Sequence, residues 1–270
     1  MESRKRSRSP DTQPAENDSA TTVPAITTST APETVKRLPT TTDQLVMHLF
    51  KAVAPHLQKP NLELEVRLCI LCDERNQRFR VPIETPAVVT KVKKAEASVA
   101  KYDFERIVRV LEEALASAVA RAEDGVTPAM KKRETNTRDV VRNGIRESFD
   151  PVTGVSLGII KKQRLVVCDI LCPRSRYDLR FALNQEVPIA PSTVQASGGG
   201  DSGFVRMKQR TSFEAGPYSF DLTQVRQRVD AQPSLEVEIE AALDSTADLE
   251  KALSTVSGLL AKAFSLLEKV

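Results

Sequence analysis

The chain has 270 residues, a net charge of only +3, 28% charged residues, 4% aromatics and no tryptophan. That balance excludes a generic polycation for duplex nucleic acid. No apolar run approaches the ~18 residues of a membrane-spanning helix, and no secretory leader pattern opens the chain, so a reducing intracellular setting is the expectation.

Residues 1–38 read as a disordered tail rich in Ser, Thr, Pro and Ala, a composition that cannot bury a core. Its tip, Arg4-Lys5-Arg6-Ser7-Arg8-Ser9-Pro10, is a basic cluster of the kind used for nuclear import or nucleic-acid tethering; a plain solvated tail is the other reading. Phosphorylation at Ser7 and Ser9 would cancel its charge. Residues 39–270 read as one domain. A helix is expected from Thr42 through Leu45, Val46, Leu49, Phe50 and Val53, with His48 and His56 in surface or packing roles.

Beyond Pro60, Glu63, Glu65 and Arg67 alternate with Leu62, Leu64, Val66 and Leu68, the period of a strand with one apolar face. Phe79–Ile83 is expected to form a short second strand. Tyr102 to about Ala122 is expected to be helical, with Phe104, Ile107, Val108, Leu111, Leu115 and Val119 in one stripe, closed by Asp124-Gly125 and Pro128. Strands then follow in succession at Met130–Asn136, Asp139–Glu147, Leu157–Asp169, Tyr177–Val187, Phe204–Phe213, Tyr218–Val225 and Leu235–Ala241, with a glycine-rich loop at 197–203. Asp244 is placed at the start of a last helix. Its Leu249, Leu253, Val256, Leu260, Ala263 and Leu267 have heptad-like spacing, which fits packing on its own domain or a homodimer seam.

The four cysteines fall as Cys69-x-x-Cys72 and Cys168-x-x-x-Cys172. Both pairs lie in or beside aliphatic strands, where cysteine acts as a small buried hydrophobe; the zinc reading is the weaker one. No P-loop, GxGxxG or Ser-His-Asp arrangement occurs.

The charged strand faces carry the functional signal. Glu236, Glu238 and Glu240 form a second carboxylate row, opposite Leu235, Val237 and Ile239. Arg206, Lys208 and Arg210 form an unbroken basic row; Asp178, Arg180, Asn184 and Glu186 share a face, as do Ser219, Asp221 and Thr223. An open antiparallel sheet would show such rows to water. Segregation of sign points instead to enclosure. The fold expected is α+β: a closed antiparallel β-barrel of about eight strands, polar inside, apolar outside against flanking helices. An interior lined with carboxylates and guanidinium groups matches a polyphosphate together with a divalent cation, Mg²⁺ or Mn²⁺.

The ensemble resembles the triphosphate tunnel metalloenzymes, and within them the fungal and protozoan type of mRNA-capping RNA 5′-triphosphatase. Residues 62–68, 177–186, 206–213, 220–225 and 235–240 carry the likeness. The resemblance implies that Glu63, Glu65 and Glu240 bind the metal, with Glu236 and Glu238 in support. It implies that Arg146, Lys162 (or Lys161), Arg180, Arg206, Lys208 and Arg210 meet phosphates, with Asp221 and Thr223 beside the substrate. Glu186 would orient the attacking water. Implied partners are a 5′-triphosphate RNA end and a guanylyltransferase or the transcription machinery, in the nucleus, for a monomer or homodimer. Ser219 stands where family members often carry Arg, and the tryptophan segment by which some members bind guanylyltransferase is missing. A small-molecule triphosphatase of the same fold, or a non-catalytic binder of polyphosphate or RNA ends, are the alternatives.

Overall fold

Strict alternation makes strand β1 (Leu62–Cys72) what it is: Leu62, Leu64, Val66 and Leu68 are buried on one side while Glu63, Glu65 and Arg67 share the other. A computed structural model describes residues 42–122, 129–190, 203–228, 230–243 and 248–270 of the chain. Helix α1 (Thr42–Val53) leads into β1 through a short 3-10 turn. Two short strands follow, β2 (Ala87–Val89) and β3 (Lys94–Glu96), then helix α2 (Lys101–Ala120). The rest is β4 (Lys131–Arg142), β5 (Ile145–Phe149), β6 (Ser156–Leu171), β7 (Asp178–Pro188), β8 (Phe204–Ala215), β9 (Tyr218–Arg226) and β10 (Ser234–Leu243), ending in helix α3 (Leu249–Leu267).

The strands pair in the order β10-β9-β8-β4-β5-β6-β7-β1, and β1 also pairs with β10. This closes an eight-stranded antiparallel barrel; β2 and β3 are extra strands on β6 and β1. Closure runs in one register, with Glu63 opposite Ala242, Glu65 opposite Glu240 and Arg67 opposite Glu238. The two carboxylate rows therefore meet, as their strand patterns predicted. The apolar core lies outside the barrel, where Leu62, Leu64, Val66, Val237 and Ile239 pack beneath α1 and α3.

Several expectations are corrected. The segments 130–136 and 139–147 are not two strands with a break near 137. β4 is continuous, and the hairpin turns at Asn143-Gly144, where both residues have positive φ (49° and 76°). An Asn-Gly pair supplies that conformation cheaply and marks a hairpin turn in the sequence itself. Phe79–Ile83 is no strand: Pro82 interrupts it, and Phe79, Val81 and Ile83 plug a small cluster with Cys69, Leu71, Val89 and Leu171. Val119 is 52% exposed, so it leaves the α2 stripe.

Asp248, not Asp244, caps α3, its carboxylate accepting from the Lys251 amide at 2.6 Å. Asp244 and the expected stop at 124–128 lie outside the described residues, as do the tail and most of the glycine-rich loop. From Val256 onward the α3 seam is buried within the chain: Val256, Leu260 and Ala263 are all 0% exposed against its own domain, and Leu249 at its start is 63% exposed. It is therefore not free to serve as a dimer seam. No described helix is long and apolar enough to cross a membrane.

All four cysteines are buried and free. Burial pushes the Cys168 thiol up to about 11 and the Cys69 and Cys172 thiols higher still. They are packing residues, and they form no metal-ligating group among the described residues.

Candidate active site

Strand parity turns one residue in two into the barrel. Glu63, Glu65 and Glu240 come together from β1 and β10, with one carboxylate oxygen of each within 4.8 Å of the others. Three hard oxygen donors so close form a set that can hold a divalent cation such as Mg²⁺ or Mn²⁺. Burial pushes Glu240 well above the usual carboxylate range, and repulsion from Glu63 and Glu238 adds to it against the pull of Arg210. Glu63 is raised too, by burial that Lys162 only partly offsets. Burial also acts on Glu65, but Arg67 and Lys162 outweigh it and hold that carboxyl below its ordinary value. Two of the three carboxyls thus stay raised beside Lys162 and Arg210, and a bound cation would lower them.

Lys162 sits among these acids, its Nζ 2.7 Å from Glu63, 3.2 Å from Glu65 and 3.1 Å from Glu186. Parity separates Lys161 from Lys162: Lys162 lies opposite Glu186 and points inward, and Lys161 is exposed on the outer side. Arg146 approaches Glu186 at 3.6 Å. Near this end a cavity of about 430 Å³ is lined by Glu63, Glu186, Ser219 and Glu240.

The basic row of β8 faces the same interior. Arg210 reaches Asp221 at 2.5 Å, Glu238 at 3.5 Å and Glu240 at 3.9 Å, and its Nε donates to Thr223 Oγ1 at 3.1 Å. Arg206 donates to both oxygens of Glu236, at 2.7 and 2.8 Å. Lys208 lies 2.5 Å from Asp139, whose carboxylate also accepts from Ser148 at 2.8 Å. Burial lowers the Lys208 ammonium below its ordinary value despite Asp139, and Arg146 and Arg206 push the same way. Ser219 donates to Asp221 Oδ1 at 2.6 Å, so the hydroxyl at that position steadies the acid that holds Arg210.

Strand parity turns each candidate site residue toward the interior, Arg180 included, since it shares its face of β7 with Asn184 and Glu186. That guanidinium is gripped by Asp169 through two hydrogen bonds of 2.7 and 3.0 Å, beside Arg67 in the β1–β7 register. Asp178, on the same strand face, is structural: it accepts from the Leu71 and Cys172 amides and pairs with Arg78. Asp221 and Thr223 are turned toward Arg210, with 2% and 1% exposure, so each meets a neighbouring side chain. His48 and His56 sit on α1 and the 3-10 turn.

Sequence reasoning does not single out Arg67, Asp139, Asp169 or Asn184 as site residues. Arg67 bridges Glu65, at 2.9 Å, and Glu238. Asp139 could have been found from the Asn143-Gly144 turn, which fixes the β4 parity. Asp169 follows a bulge at 164/166 that resets the β6 alternation, and no local pattern gives it away.

A closed antiparallel barrel with carboxylates and guanidinium groups facing one another inside is the triphosphate tunnel fold. The model of the mRNA triphosphatase family (mRNA capping enzyme, beta chain) matches residues 33–264, and the chain belongs to that family. The mRNA-capping enzyme subunit beta of Schizosaccharomyces pombe is 27% identical over 133 residues, 48% of this chain. That match spans 41% of the relative's length. The S. pombe Pct1 RNA triphosphatase, solved in complex with the Spt5 CTD, superposes with a TM-score of 0.70 at 19% identity, covering 87% of this chain and 96% of that one. Pct1 solved by itself gives a TM-score of 0.70 at 18% identity, over 87% and 94% of the two chains.

Proposed function

We propose that the chain is a divalent-cation-dependent RNA 5′-triphosphatase that removes the γ-phosphate from nascent mRNA and leaves a 5′-diphosphate end for capping. The carrying observation is the Glu63, Glu65 and Glu240 group facing Arg210 and Lys208 across one enclosed interior. A cation held there supplies concentrated positive charge to the phosphoryl oxygens and acidifies water. Arg210, Lys208, Arg206 and Arg146 cradle the phosphates, the arginines with planar forks that grip two oxygens at once. Asp221 and Thr223 hold Arg210, and Asp139 holds Lys208, so that these cations are aimed before substrate arrives. Glu186, flanked by Lys162 and Arg146, orients the attacking water and takes up its proton. Lys162 moves its charge between the acid group and the substrate, and Arg180 acts through Asp169 to shape the wall. Glu236 and Glu238 tether Arg206, Arg67 and Arg210.

The basic cluster at Arg4–Arg8 suits a nuclear protein, where capping substrate is made. A guanylyltransferase or the transcription machinery is the expected partner; the Pct1 complex with the Spt5 CTD supports the second. The test is release of labelled phosphate from γ-labelled triphosphate RNA, with and without Mg²⁺ or Mn²⁺, beside the same assay on free tripolyphosphate. Metal-dependent release with RNA preferred is the expected result. Equal or better hydrolysis of tripolyphosphate would make the chain a small-molecule triphosphatase, and no release with retained binding would make it a binding module.

A further inference from the structure

Asn184 is 1% exposed in the middle of β7, opposite Glu63 on β1 and Arg164 on β6. Its Nδ2 donates to Glu65 Oε2 at 3.2 Å, and its Oδ1 is buried with no hydrogen-bond partner. The amide cannot be turned to relieve this. An ionised carboxylate only accepts, so the nitrogen must face Glu65 and the oxygen is left over. A buried carbonyl oxygen without a donor is uncommon in native proteins and asks for a ligand or a water. This one belongs to an amide already bonded to the three-glutamate group. Arg164 is the nearest candidate donor by register, yet no hydrogen bond joins the two, and Arg164 is exposed. A carbonyl oxygen at such a place is a hard acceptor suited to the strongly polarised water that surrounds a small divalent cation.

We propose that Asn184 is a positioning residue of the cation site: Nδ2 steadies Glu65, and Oδ1 accepts a hydrogen bond from a water in the shell of a cation held by Glu63, Glu65 and Glu240. The proposal rests on the cation-site reading above. Because the amide acts through Glu65 and through water, it sets the affinity and hydration of the ion without touching phosphate.

The experiment titrates Mn²⁺ into the metal-free full-length chain by calorimetry and follows the bound ion by electron paramagnetic resonance, with no substrate present. Asn184→Ala and the near-isosteric Asn184→Leu are expected to weaken Mn²⁺ about 10- to 100-fold and to alter the resonance line shape, the scale for losing an outer-shell partner. Asn184→Asp keeps an oxygen at the same place and is expected to bind Mn²⁺ at least as tightly as the wild type. Arg164→Ala is expected to leave the affinity unchanged or improved, since it removes a cation near Glu65. Wild-type affinity in folded Asn184→Leu overturns the proposal. So does an equal loss in the Ala, Leu and Asp variants, which would reduce the residue to a prop for Glu65. A loss in Arg164→Ala matching that of Asn184→Ala overturns it as well, by making Arg164 the donor. Glu240→Gln separates the two layers. If that variant binds Mn²⁺ normally, the cation site itself is misplaced; if it loses Mn²⁺ while Asn184→Leu does not, only the role of Asn184 fails.

Discussion

Glu65 on β1 and Glu240 on β10 stand directly opposite each other in the register that closes the barrel. Two carboxylates in a directly opposed pair destabilise a sheet unless something positive lies between them. The pairing that closes the barrel therefore sets two carboxylates face to face, with Arg67 and Lys162 beside Glu65 and Arg210 beside Glu240.

Glu65→Ala and Glu240→Ala are each expected to lower kcat by about 100-fold or more, the scale for losing one strong transition-state interaction. Chelator should abolish activity in the wild type, and Mg²⁺ or Mn²⁺ should restore it. Full turnover in either variant, measured at saturating metal, would remove the three-glutamate site.

Arg210→Lys keeps the charge but cannot reproduce the fork that meets Asp221, Thr223 and Glu238 together. It should fold with nearly wild-type Tm and recover only part of the activity that Arg210→Ala loses. Activity equal to wild type in Arg210→Ala would mean that the basic row takes no part in the reaction.

Lys208 sets a pH dependence. Its ammonium titrates below the ordinary 10.5 because burial disfavours the charge. Between its folded and unfolded values the unfolded chain binds more protons, so the metal-free protein should gain stability as pH rises through the window just beneath 10.5. Activity should move the other way, because a neutral amine no longer attracts phosphate. Lys208→Arg, which stays charged, should push the alkaline limb of kcat/KM to higher pH. An unmoved limb would assign it to another group.

Gly258 on α3 faces Tyr218, and a Cβ there would lie 2.0 Å from the phenol oxygen and 2.8 Å from Cζ. The ring is confined by Lys262, 4.7 Å above it, and by the hydroxyl's bond to the Thr255 carbonyl. Gly258→Ala should cost about 1–3 kcal/mol, the usual range for overpacking, seen as a lower Tm. Tyr218→Phe in the same chain should return part of it, a coupling that a double-mutant cycle measures.

Removal of residues 1–38 should leave phosphate release and Tm almost unchanged, since the composition builds no core. A fluorescent fusion lacking the basic cluster should lose nuclear enrichment. Undiminished enrichment would leave the cluster as a solvated tail.

Much of the barrel was legible because its strands are amphipathic in the strict sense: Leu62 to Leu68 and Leu235 to Glu240 declare both faces, and sorted charge declares which face is enclosed. What escaped was set by tertiary placement. The partner of Lys208 depends on where the β4–β5 hairpin turns, and Asp169 faces inward only because a bulge at 164/166 shifts the count by one. Arg180 shows the converse: its strand position follows from the alternation, but the acid directly opposite it on the neighbouring strand β6 decides what it touches. β2 and β3, three residues each, have too few positions for any period to show.

Because the oily core lies outside the barrel and the charged groups lie inside, each strand carries two messages in alternate letters, one for folding and one for chemistry. Substitutions in either message leave the other readable, so reactivity can be retuned without repacking the protein. Slippage by a single letter is another matter. Deleting one residue ahead of Glu63 would send Leu62 and Leu64 into the tunnel and press Glu63 and Glu65 against α1 and α3, exchanging the two messages at a stroke.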